Sequence, residues 1–133
     1  MTKVMAQGVF DILHPGHIHY FKESKKKGDK LIVVIARDSR VKEKKSLYFD
    51  EEERRQMVEA LKPVDKAILG SKGDIYSTVK EINPDVITLG YDQKHEEQKV
   101  KEMAEKATGH KVKVKRISGL KNYSSSNIRK SSQ

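Results

Sequence analysis

The sequence predicts an α/β protein built on a doubly wound, parallel, five-stranded sheet. Five short apolar blocks alternate with four amphipathic stretches along its 133 residues. One block, Leu31-Ile32-Val33-Val34-Ile35-Ala36, is apolar throughout, as expected for a parallel strand covered on both faces. Every connection between blocks is a helical stretch, and such crossovers join parallel strands in right-handed units.

Residues 3–9 are apolar up to Gly8 and predict the first strand. A helix is predicted over 17–27. Ile18 and Phe21 share a face with His14 and His17, while Lys22, Glu23 and Lys26 fall mainly on other faces. Gly28 is placed to supply a left-handed C-terminal cap, and Lys25-Lys26-Lys27 suits the exposed carbonyls of a helix end. After the 31–36 strand, residues 37–49 are polar and lysine-rich and read as a mobile loop.

Asp50 opens the second helix, with Glu53 three residues on as its capping-box partner. Its apolar stripe is Met57, Val58 and Leu61, and Lys62-Pro63 ends it. Extended backwards, the stripe lands on Arg54, an inward charge that implies a task, whereas Arg55 points elsewhere. Residues 64–69 predict the third strand, followed by a turn over 70–73. Ile75, Val79 and Ile82 then line one face of a helix stopped by Asn83-Pro84. Val86-Ile87-Thr88-Leu89 predicts the fourth strand, ending at Gly90. Val100, Met103, Ala104 and Ala107 repeat at helical spacing before Gly109, and Val112 and Val114 alternate with lysines as in a half-exposed edge strand. In a Rossmann-like sheet of this kind ligands bind beyond the carboxyl ends of the strands, near the switch in strand order. The loops over 8–17, 36–45 and 90–95 and the segment after 117 are therefore the expected site.

Composition narrows the function classes. One domain over residues 1–133 is expected, without repeat or linker. No apolar run approaches the roughly 20 residues of a membrane span, and Met1-Thr2-Lys3 lacks a signal-peptide pattern, so a soluble cytoplasmic protein without a membrane partner is expected. The absence of cysteine excludes a disulfide framework and thiolate-based zinc or redox chemistry. The net charge of +9 fits a nucleic acid, a phosphate-rich ligand or solubility alone. With three phenylalanines and five tyrosines not interleaved with basic residues, there is no stacking platform, and no nucleic-acid partner is expected. Arg116, Lys121, Arg129 and Lys130, among serines and a tyrosine, instead have the look of a phosphate site.

Neither a Gly-x-Gly-x-x-Gly turn nor a Gly-Lys-Ser/Thr phosphate loop follows the first strand. What stands there is Gly8-Val9-Phe10-Asp11-Ile12-Leu13-His14-Pro15-Gly16-His17. Pro15 suits the first turn of a helix, and Gly16 removes a side chain where a ligand approaches backbone amides. His14 and His17, three apart, project from one face of that helix end, where two imidazoles make a site for phosphate oxygens. The blander alternative has one histidine capping the turn and the other packing in the core. Metal ligation by the pair lacks an identifiable third ligand, so no protein metal site is expected. His19, His95 and His110 lack comparable context.

This segment resembles the His-x-Gly-His signature of the cytidylyltransferase-like nucleotidyltransferases. The likeness continues through residues 51–55, Val64-Asp65, Gly90-Tyr91-Asp92 and Tyr123-Ser124-Ser125-Ser126-Asn127-Ile128-Arg129. Ile35-Ala36-Arg37-Asp38, residues 53–65 and Gly90-Tyr91-Asp92-Gln93 look most like the archaeal-type FAD synthases, with glycerol-3-phosphate cytidylyltransferases next. The resemblance implies transfer of AMP from ATP to FMN with release of pyrophosphate. The alternative is CTP with glycerol 3-phosphate or phosphoethanolamine. It also implies a divalent cation, Mg2+, carried by the nucleotide phosphates, and a homodimer. An ionised phosphate is already a nucleophile, so positioning and charge neutralisation suffice for catalysis.

Carried over by motif, His14, His17, Lys44 and Arg129 are the implied catalytic residues. Val9 and Phe10 would follow the nucleotide through their backbone, together with Pro15, Gly16, Asp92, Tyr123, Ser124, Ser125 and Ser126. Asp11, Lys45 and Arg54 are the implied substrate-binding residues, with loop-holding open for Asp11, a solvated loop for Lys44 and Lys45, and a role in supporting the site or a buried ion pair for Arg54. Two departures stand out. Gly119 occupies the position of a family arginine, leaving Arg116 or Lys121 to substitute, and Gln93 stands where cytidylyltransferases place tryptophan.

Overall fold

Val4 and Ala6 on β1 (Lys3–Gly8) face one side of the sheet and Met5 the other, and this period of two builds the two cores of the fold. The computed structural model describes residues 1–41, 47–72, 74–91 and 93–119. After β1 come α1 (Pro15–Lys25), β2 (Lys30–Ile35), α2 (Glu51–Glu59), β3 (Lys66–Leu69) and α3 (Ile75–Ile82), then β4 (Val86–Gly90), α4 (Glu97–Thr108) and β5 (Lys113–Ile117). Every strand pair is parallel and the order is β3-β2-β1-β4-β5. This is the predicted doubly wound, Rossmann-like sheet, with the switch between β1 and β4.

On one face Leu31, Val33 and Ile35 join Val4 and Ala6 beneath Tyr20 and Phe21 of α1 and Val58 of α2. On the other, Met5, Ile32, Val34, Ile87 and Leu89 pack under Val79 and Ile82 of α3 and Ala104 and Ala107 of α4. Burying a side chain such as Phe21 or Leu31 contributes about 1.5–3 kcal/mol. A polar seam then fixes α1 across the switch. Tyr20 donates its hydroxyl to the Thr88 carbonyl at 2.7 Å, and the Ser24 and Thr88 hydroxyls pair at 2.8 Å.

The Asp50–Glu53 capping box forms as the spacing predicts, with bonds of 2.8 and 3.0 Å. α2 ends at Glu59, earlier than Lys62-Pro63. α1 begins at Pro15 and ends at Lys25, and Lys26 after it is right-handed, so Gly28 is not its left-handed cap. Gly28 has a different reason to be glycine. A Cβ there would lie 2.8 Å from the Thr2 carbonyl oxygen and from Val4 Cγ2, so the chain could not enter β2 beside β1. The segment after β2 is also tied down at its start: Asp38–Arg40 form a 3-10 turn, and Glu51 accepts from the Asp38 amide at 2.8 Å. Among the described residues no helix is long and apolar enough to cross a membrane.

Candidate active site

Beyond β1 the chain makes an abrupt turn. Phe10 adopts a left-handed φ of 52°, which strains a bulky residue, and its ring folds back over Gly8. A Cβ on Gly8 would stand 2.6 Å from Phe10 Cζ, so only glycine fits beneath the ring. The ring packs on Phe21 at 5.0 Å and meets the His17 imidazole edge-on at 5.3 Å and 87°. A core aromatic thus props a site imidazole.

α1 starts with Pro15 at its first position and His14 as N-cap. His14 Nδ1 accepts the Gly16 amide at 3.1 Å, which leaves the proton of the neutral ring on Nε2, a donor. The His17 and Ile18 amides donate to the His14 carbonyl at 2.9 and 3.3 Å. This changes the expected use of Gly16. Its amide is engaged by the cap, so this helix end offers an anion its dipole and its imidazoles rather than open backbone donors.

The two rings stack, with centroids 3.8 Å apart and planes 26° from parallel. His17 Nδ1 is buried and has no hydrogen-bond partner among the described residues. Burial, together with the charge of His14 when protonated, lowers the His17 pKa to about 4. His17 is therefore neutral at pH 7. An incoming polyphosphate would reverse both causes, supplying hydrogen-bond acceptors and negative charge that favour a protonated ring. Two stacked imidazoles at a helix N-terminus can donate hydrogen bonds to an anion and take up its charge.

Two buried side chains hold the loop that carries the histidines. The Asp11 carboxylate accepts from the Tyr48 and Phe49 amides at 2.9–3.0 Å, tying the loop after β1 to the approach of α2. Arg54 is fully buried. It donates to the Val9 and Ala36 carbonyls at 2.9 Å each, to the Phe49 carbonyl at 3.2 Å and to Asp38 at 2.5 Å. Its predicted inward direction is correct, but substrate contact is not what its geometry provides. The guanidinium faces protein on every side and joins the ends of β1 and β2 to α2.

Arg116 is corrected in the same way. In place of joining a phosphate site, it bridges the Gly90, Gln93 and His95 carbonyls at 2.5–2.8 Å and pairs with Glu97 at 2.5 Å. Gln93 links the carboxyl ends of the two strands at the switch, donating to the Gln7 carbonyl at 2.7 Å and accepting from the Gly90 amide at 3.1 Å. Gly119, where the family pattern has arginine, lies against the Tyr91 ring with no room for a Cβ. Lys44, Lys45, Asp92, Lys121, Tyr123, Ser124, Ser125, Ser126 and Arg129 lie outside the described residues. Among the described residues no group of three histidine or acidic side chains is gathered for a metal ion.

The structure adds residues that the motifs do not indicate. Two cavities, of about 430 and 310 Å3, open on the α3/α4 side of the sheet near the carboxyl ends of the strands, and Gln7, Ile75 and His95 line both. His95 lies in the 90–95 loop expected to border the site, but nothing in the sequence singles out its side chain, whose place comes from the path of the chain after β4.

The cytidylyltransferase-like family model matches residues 5–131, a span containing both the histidine motif and the serine-rich segment. An FAD synthase of Aciduliprofundum boonei is 53% identical over 129 residues, covering 96% of this chain and 84% of that protein. An FAD synthase of Thermoplasma volcanium is 54% identical over 133 residues, covering 98% of this chain and 93% of that protein. A crystal structure from Thermoplasma volcanium, described as a lipopolysaccharide core biosynthesis protein, superposes with a TM-score of 0.83 at 54% identity. It covers 90% of this chain and 98% of its own.

Proposed function

The chain belongs to the cytidylyltransferase-like family, and on that premise we propose that it is an FAD synthase, transferring AMP from ATP to FMN. A phosphate oxygen of FMN forms a bond to the α-phosphorus as the bond from that phosphorus to the bridging oxygen breaks, and pyrophosphate leaves. The observation that carries this chemistry is the stacked His14–His17 pair at the start of α1, beyond the central strand of the sheet. No general base is called for, since the attacking phosphate is already ionised. Transition-state charge is what needs stabilising.

In this reading His14 and His17 donate to oxygens of the phosphate being transferred, and the α1 dipole adds to their field. The backbone of Val9 and Phe10 follows the nucleotide. Lys44, Arg129 and the hydroxyls of Ser124, Ser125 and Ser126 complete the charge around the triphosphate, with Lys45 toward the acceptor and Asp92 toward ribose or base. Asp11 and Arg54 act as positioning residues through the loop they hold. The divalent cation enters with the nucleotide, as part of the substrate.

Pyrophosphate release measured for ATP or CTP against FMN, glycerol 3-phosphate and phosphoethanolamine tests the assignment. Turnover with ATP and FMN is expected. Turnover confined to CTP would replace it with cytidylyl transfer.

A further inference from the structure

We propose that the larger cavity, at the carboxyl ends of β1 and β2 beside the start of α3, seats the tricyclic ring of the flavin acceptor, with Arg40 and Asp74 reading its polar edge. This rests on the FAD synthase reading and assigns acceptor recognition to Arg40 and Asp74, two lining residues outside the motif segments.

Size is the first argument. At about 430 Å3 the cavity falls in the range of roughly 300–1,000 Å3 usual for small-molecule sites. A glycerol phosphate would leave much of it unfilled, whereas three fused rings make a slab of suitable bulk. Its lining is the second argument. Val9, Val34, Ala36 and Ile75 supply apolar surface for the ring faces. Polar groups in the wall are largely committed to the protein. Gln93 bridges Gln7 and Gly90, Thr78 accepts from the Ser71 amide at 2.9 Å, and Arg37 donates to the Gly70 carbonyl at 2.5 Å. The wall is therefore built and rigid.

Arg40 differs. Among the described residues no hydrogen bond engages its guanidinium, although it lines the cavity. Asp74 stands at the same rim as the N-cap of α3, accepting from the Ser77 amide at 2.9 Å and its hydroxyl at 3.1 Å. Those bonds from Ser77, and the nearby charge of Arg40, hold the Asp74 carboxyl below the usual carboxylate range. A cationic donor beside an anionic acceptor matches the pyrimidine edge of a flavin, where an N–H lies between two carbonyls. Position is the third argument. Gly8 and Val9 line the cavity and lead directly into the loop bearing His14 and His17. A ring seated here sends its phosphate-bearing tail along that loop.

The test is steady-state pyrophosphate release with FMN and ATP varied in turn. Ile75→Trp narrows the cavity from the first residue of α3, and Arg40→Gln removes the donor from an exposed position. The expected result is a KM for FMN raised at least about tenfold by Ile75→Trp and about fivefold by Arg40→Gln. The KM for ATP should stay within about twofold. A rise confined to the KM for ATP would show that the cavity holds the nucleotide base, and no change in either constant would show that it holds neither. Both results overturn the proposal. If Ile75→Trp lowers the thermal midpoint, the exposed Arg40→Gln variant decides. Failure of the wild type to use FMN while using another acceptor would defeat the underlying reading, and that outcome needs no variant to recognise.

Discussion

Arg54 and His17 both approach the end of β1 from the α1/α2 side of the sheet, yet their bonding is opposite. Arg54 is wholly buried and its guanidinium donates to three carbonyls and one carboxylate. His17 keeps a buried ring nitrogen without a hydrogen-bond partner among the described residues, beside a second imidazole that disfavours its charge. Buried polar groups are normally satisfied, because desolvation without compensation costs about 1–3 kcal/mol. A guanidinium satisfied by protein is architecture. An imidazole short of partners keeps hydrogen-bonding capacity that the protein does not use.

The comparison can be broken at either end. Arg54→Met leaves the Val9, Ala36 and Phe49 carbonyls without their donor and should cost about 3–5 kcal/mol in urea unfolding. A fully stable Arg54→Met protein lacking turnover would instead place Arg54 with the substrate. His17→Ala should lower turnover at least about a hundredfold while leaving the thermal midpoint unchanged or slightly raised. Near wild-type turnover would remove His17 from the reaction.

The smallest effect sharpens the contrast through pH. With a folded pKa near 4 against 6.5 for the unfolded chain, His17 binds its proton more readily when unfolded. Its contribution to stability is therefore complete above about pH 6.5 and is lost as pH falls toward 4. Between pH 7 and 5 this amounts to about 2 kcal/mol, measurable as a shift in urea midpoint that His17→Gln should abolish. An identical acid limb in that variant would mean that His17 is not the neutral buried group described.

Much of the fold was legible because it depends on short-range periodicity. The unbroken run Leu31–Ile35 identified a strand covered on both faces, and the spacing of Ile75, Val79 and Ile82 identified the buried face of α3. The Asp50–Glu53 cap was equally local. Gly28 misled because a glycine after a helix has two explanations, a left-handed cap or a close approach. Only the Thr2 and Val4 atoms beside it distinguish them.

For the candidate site, the histidine pair and the inward direction of Arg54 could be read from spacing, whereas the partners of each side chain could not. Arg116 sits among basic residues in the sequence, but its bonds run back across the sheet edge to residues 19 to 26 positions earlier. The cavity beside α3 is similar. Val9, Val34, Arg40, Asp74 and His95 converge from four loops and one strand, and no segment of the chain contains their pattern.

The order of strands and helices, the placing of the His14-Pro15-Gly16-His17 motif at the first turn of α1, and the family were all written in the sequence. Periodicity, capping and motif spacing act over a few residues, so they are written in the chain. Only the folded structure shows which polar groups are already satisfied, and therefore that His17 Nδ1 lacks a partner among the described residues while the guanidinium of Arg54 does not. Hydrogen-bond satisfaction is a property of neighbours in space, and the neighbours of His17, Arg54 and Arg116 are set by the folding of the whole sheet.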